Sequence, residues 1–118
     1  MGKYVDGFVI PMAKDKVEEY RGIAQKAGEI WKEYGALDYV EAAGDDLEIK
    51  DMLSFKTIAG AGEDETIIFA WIVYESREER DRINAAVMED PRLKAFIDNM
   101  PFDFKRMAYG GFKTLVSF

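Results

Sequence analysis

The segment MPFDFKRMAYGGF, residues 100–112, brings an acid, two cations and a phenol close together in the chain: Asp103, Lys105, Arg106 and Tyr109. The planar fork of Arg106 can grip a carboxylate or phosphate through two parallel hydrogen bonds, and Lys105 can add a point charge. The same groups can instead fasten the chain. Asp103 can accept from nearby backbone N–H groups and Arg106 can clamp an acid, which would lock the approach to the strand that follows. Tyr109 can donate a proton to a substrate oxygen or orient it. It can equally lie in an interface with its hydroxyl at the rim.

Two further acids, Asp6 and Glu41, fall inside stretches that read as strands. A buried charge is costly unless it is compensated. Each must therefore reach solvent, find a cation, or have its proton affinity raised as that of a general base is. Asp6, Glu41 and Tyr109 are the candidate catalytic residues. Trp71, Asp103, Lys105 and Arg106 are the candidate ligand-binding residues, Trp71 because a sheet-facing tryptophan can floor a cavity or fill an interface between copies.

Composition narrows the chemistry. The chain has neither histidine nor cysteine, so zinc, haem and copper lose their usual ligands, and neither a metal nor a cofactor is expected. A net charge of -7 disfavours nucleic acid, whose binding draws on neutralised phosphates. No stretch reaches the roughly 18 apolar residues of a membrane span. Residues 1–13 carry acids and a proline before any long apolar run, so they do not read as a secretory signal. The absence of cysteine fits a reducing compartment, and a cytoplasmic location is expected.

These residues need a scaffold. Residues 3–11, KYVDGFVIP, read as a strand closed by Pro11. Asp15 and Glu18 have capping-box spacing, and Val17, Tyr20, Ala24, Ala27, Trp31 and Tyr34 form one helical face that ends at Gly35. A second strand, residues 36–43, puts Leu37, Tyr39 and Glu41 on one side. Residues 47–65 carry no periodic pattern; a short helical turn capped by Ser54 is expected before the turn GAGEDE. TIIFAWIVY, residues 66–74, reads as a central strand covered on both faces. Ser76 with Glu79 opens a helix carrying Ile83, Ala86 and Val87, and Asp90-Pro91 restarts it for Leu93, Phe96 and Ile97. Residues 107–116 form the last strand, with Gly110-Gly111 marking a bulge or a close approach of another group.

The order strand, helix, strand, strand, helix, strand predicts one α+β domain over residues 1–118: a ferredoxin-like sandwich with an antiparallel sheet and helices on one face. The other sheet face is then expected to stack against a second copy, giving a homodimer.

YVDGF at 4–8, FAWIVY at 69–74, DPR at 90–92 and MPFDFKRMAYGGF at 100–112 resemble the DUF1428 family of small bacterial proteins. That family is similar to the dimeric α/β-barrel superfamily, and the resemblance implies a dimeric α/β barrel. Superfamily members include monooxygenases for polyketide-like substrates, haem-degrading enzymes, muconolactone isomerases and chlorite dismutases. The haem ligand of the haem-dependent members has no counterpart here, because the chain lacks histidine. The family itself carries no transferable catalytic residue.

Two functions stand side by side. The first is a cavity between sheet and helices that binds or transforms a small organic molecule. If this is an enzyme, cofactor-independent monooxygenase-like or isomerase-like chemistry would suit it, with an acid taking a proton and Tyr109 or Arg106 steadying an oxyanion. The second is a non-catalytic homodimer that binds a metabolite or a protein.

Overall fold

The computed structural model describes residues 2–118; Met1, the first residue of the segment read for a signal and of the expected domain, lies outside them. Four strands, β1 (Tyr4–Ala13), β2 (Asp38–Ala43), β3 (Glu65–Tyr74) and β4 (Ala108–Lys113), form one antiparallel sheet in the order β2-β3-β1-β4. The helices are α1 (Val17–Tyr34), α2 (Phe55–Ala59), α3 (Arg77–Glu89) and α4 (Pro91–Ile97).

The expected barrel is corrected: the sheet is open, with β2 and β4 as its two edges. Four strands in one chain cannot curl far enough for β2 to meet β4, since closing a barrel takes a consistent strand number, tilt and stagger. The fold is an α+β arrangement of one antiparallel sheet with helices. The helices are not confined to one face either. The residues of β1 and β3 whose side chains meet α1, α3 and α4 include Ile10, Ile68, Ile72 and Tyr74. Phe69 points to the opposite side, where Phe55 of α2 packs edge-on against it at 5.8 Å between ring centres. That second face is covered near Pro11 and Ile67, which are buried, and open at Phe69, which is 44% exposed. The central strand is therefore not covered along its whole length on both sides.

Local chemistry sets most element ends. Gly35 takes the left-handed conformation (φ 119°) that closes α1. The side chains of Ser54, Ser76 and Asp90 accept from the backbone N–H groups of Lys56, Glu79 and Arg92 and start α2, α3 and α4. Three expectations fail locally. Asp15 does not cap α1, because residues 14–16 form a 3-10 turn of their own. Pro11 does not end β1, which pairs on to Ala13. Gly110-Gly111 makes no bulge, because the β1–β4 register runs unbroken from Val9 opposite Ala108 to Tyr4 opposite Lys113. The close approach is the reading that fits. A Cβ at Gly111 would collide with the Tyr4 hydroxyl, and one at Gly7 would press on the Phe112 ring at 3.2 Å.

Candidate functional site

Strand register places the key side chains. Glu41 lies opposite Ala70, Ala70 opposite Phe8, and Phe8 opposite Tyr109. These four residues make one transverse row across the helix-covered face, three strand spacings or about 14 Å from end to end. Ala70 in the middle is small, as are Ala24 and Ala27 on the facing side of α1, and all three are buried. The space they leave is a cavity of about 330 Å³ roofed by α1, α3, α4 and the 100–107 segment. Glu41 and Tyr109 both line it, with Trp31, Phe102, Met107 and Asn84 among the other walls. Phe8 stacks on Tyr109 with ring centres 4.9 Å apart.

Glu41 is held by two phenols. The Tyr20 hydroxyl donates to one carboxylate oxygen and the Tyr39 hydroxyl donates to the other at 2.6 Å. Gly28 of α1 makes room for the Tyr39 ring, since a Cβ there would sit 2.9 Å from it. Burial raises the Glu41 pKa above its ordinary value, and the two hydroxyls partly oppose that shift. Burial, reinforced by the nearby Glu41 charge, raises both tyrosines well above the usual phenol range.

Asp6 is fully buried and belongs to a different network. Its Oδ1 faces Arg80 Nη1 at 3.2 Å as an ion pair without hydrogen-bond alignment. Its Oδ2 accepts from the Tyr109 hydroxyl at 3.1 Å and from Asn84 Nδ2 at 3.4 Å. Arg80 Nη1 in turn donates to the Tyr109 hydroxyl at 2.7 Å, and its guanidinium lies 4.9 Å from the centre of the Tyr4 ring. Asn84 Oδ1 accepts from Trp31 Nε1 and from the Tyr74 hydroxyl, both at 3.0 Å. Burial raises the Asp6 pKa, and the Arg80 charge works against it. Asp6 reaches the cavity only through Tyr109 and Asn84.

The fold is similar to that of a NIPSNAP-family protein of unknown function from Agrobacterium tumefaciens, with a TM-score of 0.60, 17% identity, and coverage of 96% of this chain and 88% of that one. A family model described as a protein of unknown function, DUF1428, matches residues 3–104. The chain belongs to the DUF1428 family. Uncharacterized protein YbaA of Escherichia coli K12 is 46% identical over 114 residues, covering 97% of each chain, and YbaA of Shigella flexneri matches equally well. The matched stretch of the DUF1428 model ends at Phe104, so Lys105, Arg106 and Tyr109 fall beyond it.

In this DUF1428 chain the remaining candidates lie apart from the cavity. Asp103 accepts from the Lys105 N–H at 2.9 Å and starts a 3-10 turn. Arg106 clamps both carboxylate oxygens of Glu65, at 2.7 and 2.8 Å, and donates to the Gly60 carbonyl at 3.0 Å. The guanidinium holds Glu65 down at a pKa of about 2, helped by the Gly62 N–H. Trp71 alternates with Ala70 and Ile72 and so lies on the second sheet face, 5.7 Å from the Phe69 ring, away from the cavity. Sequence reasoning misses Arg80, Asn84, Tyr20 and Tyr39 as polar site residues. For Arg80 and Asn84 the available signal is a polar pair at helical spacing: they stand four apart in line with Val87 on the inward side of α3. Among the described residues no three acids gather to hold a cation, and no helix is long and apolar enough to cross a membrane.

Proposed function

We propose that the chain binds a small, largely apolar organic molecule in the cavity between sheet and helices, with Glu41 and Tyr109 as polar anchors at its two ends. The observation that carries this reading is the row Glu41, Ala70, Phe8, Tyr109, which puts an acid and a phenol on one cavity of about 330 Å³, within the size range of small-molecule sites. Glu41, with its raised proton affinity, is suited to take a proton from a bound molecule. Tyr109, which gives its proton to Asp6 and accepts from Arg80, is suited to accept an O–H or N–H of the ligand at the far end through its remaining lone pair.

Native mass spectrometry of gently purified protein, followed by a denaturing run, tests this. The expected result is a reproducible extra mass on wild type that E41Q and Y109F each lose or weaken about tenfold or more, the scale of a hydrogen bond to a charged group. A chain that stays empty, and a cavity that takes up no neutral apolar probe, would count against the reading.

The open second sheet face supports a homodimer through stacked sheets. It carries Phe69 and Phe112, which are 44% and 60% exposed, and Trp71 beside them. Exposed aromatic clusters of this kind mark interaction surfaces.

A further inference from the structure

Fully buried Asp6 and half-buried Glu41 are treated differently. Asp6 has its cation, Arg80, at 3.2 Å. Glu41 forms no ion pair among the described residues: its partners are the Tyr20 and Tyr39 hydroxyls. Arg21 and Lys32 of α1 line an outer cleft together with Glu41, but both are exposed and engaged elsewhere. Arg21 binds Glu18 at 2.9 and 3.0 Å, and Lys32 Nζ donates to the Leu37 carbonyl at 2.7 Å. Among the described residues, the walls of the cavity include no lysine or arginine side chain, and Glu41 is their only carboxylate. Each Glu41 oxygen accepts one hydroxyl and keeps a lone pair for another donor.

A carboxylate without a cation, in a chamber walled by aromatic rings, lacks one thing, and a ligand can bring it. We infer that the cavity takes an organic cation, a protonated amine on an apolar or aromatic body, with Glu41 as its counter-ion. Trp31, Tyr39 and Phe102 are among the rings that line it, and a cation is favoured over the face of such rings. The chain's charge of -7 draws cations toward it and repels anions. A carboxylate or phosphate ligand would face Glu41 with no cation in the walls to offset the repulsion. A neutral molecule would cover the half-buried charge without offsetting it. Binding of a cation stabilises the ionised form of Glu41, whose pKa burial has raised, so the ligand should displace a proton from the fraction of molecules in which Glu41 is protonated. This inference rests on the cavity reading proposed above and specifies its ligand class.

Three probes share a naphthalene skeleton and differ only in carrying an aminomethyl, hydroxymethyl or carboxylate group. In isothermal titration calorimetry the aminomethyl compound is expected to bind about tenfold tighter than the hydroxymethyl compound, the difference that a charge-assisted hydrogen bond makes, and the carboxylate is expected to bind weakest. E41Q should bring the first two within about twofold while still binding the hydroxymethyl compound. A wild-type pH series provides a check that does not depend on the variant folding. The amine preference should fade as pH falls and Glu41 protonates; the groups facing it are Tyr20, Tyr39 and, at the outer cleft, Arg21, Glu29, Lys32 and Glu33. No amine preference in wild type, or a preference that survives E41Q or acid, overturns the inference and leaves the cavity reading intact. If the hydroxymethyl and aminomethyl compounds both fail to bind, the cavity reading falls and this inference with it.

Discussion

At the scale of single residues, the acids of this chain respond to pH in opposite senses. Glu65, clamped by Arg106, has its pKa lowered from 4.5 to about 2. Its ionised form is bound more strongly when folded, so the stability it contributes is present above 4.5 and is lost as pH falls toward 2. Asp6 and Glu41 are raised by burial. Their folded state holds the proton longer, so their contribution is fullest at low pH and declines as pH rises through the folded pKa. Arg106→Gln isolates the first effect. Glu65 and Arg106 are partly exposed, so the expected loss at neutral pH is ~1 kcal/mol or less, and it should shrink as pH falls from 4.5 toward 2. Urea unfolding of wild type and variant across that range measures it. A gap that stays constant with pH would show that Arg106 acts through its Gly60 contact or its packing, and not through the Glu65 charge.

At the scale of elements, α1 contains two glycines with different surroundings. Gly22 is exposed and a Cβ there meets nothing within 4 Å, whereas a Cβ at Gly28 would touch the Tyr39 ring at 2.9 Å. Gly22→Ala should therefore stabilise the protein by roughly 0.5–1 kcal/mol through helix propensity. Gly28→Ala gains the same propensity but must push Tyr39 off Glu41, so it should cost about 1–3 kcal/mol net. Thermal unfolding of both variants checks this pair; equal gains would mean that Tyr39 moves freely. The elements were legible where a local signal was strong. The α1 face, the αL glycine at its end and the caps Ser54, Ser76 and Asp90 are all short-range chemistry. Asp6 and Glu41 stood out as acids inside apolar strands. The extension of β1 through Pro11 and the unbroken β4 were not legible, because the partner strands decide them. The site was half visible for the same reason: REERDRINAAV looks like a solvated helix face until α3 is docked, and only docking turns Arg80 and Asn84 toward Asp6.

At the scale of the whole molecule, the shape is a slab of 38 × 37 × 21 Å, as one sheet layered with helices requires. One broad side carries α1, α3 and α4. The other carries α2, whose Phe55 and Ile58 join Phe69 and Phe112 in an exposed apolar group. A stable interface buries about 800 Å² per partner, and a slab face of this breadth offers that area without rearranging the fold. Phe69 is the informative position, because it contacts both Phe55 of α2 and Trp71 of its own strand while remaining 44% exposed. Phe69→Asp would put a charge into that cluster, where stacking a second copy would have to bury it unpaired. Native mass spectrometry and sizing at micromolar concentration should therefore show a dimer for wild type and a monomer for the variant. The cavity is walled from the opposite sheet face, so the variant should keep its affinity for cavity ligands. A wild-type monomer would remove the stacked homodimer and leave the exposed aromatic face without a self-partner. A dimer that persists in the variant would place the contact elsewhere, with the free edges of β2 and β4 next in line, since each presents unpaired backbone groups to any strand that approaches.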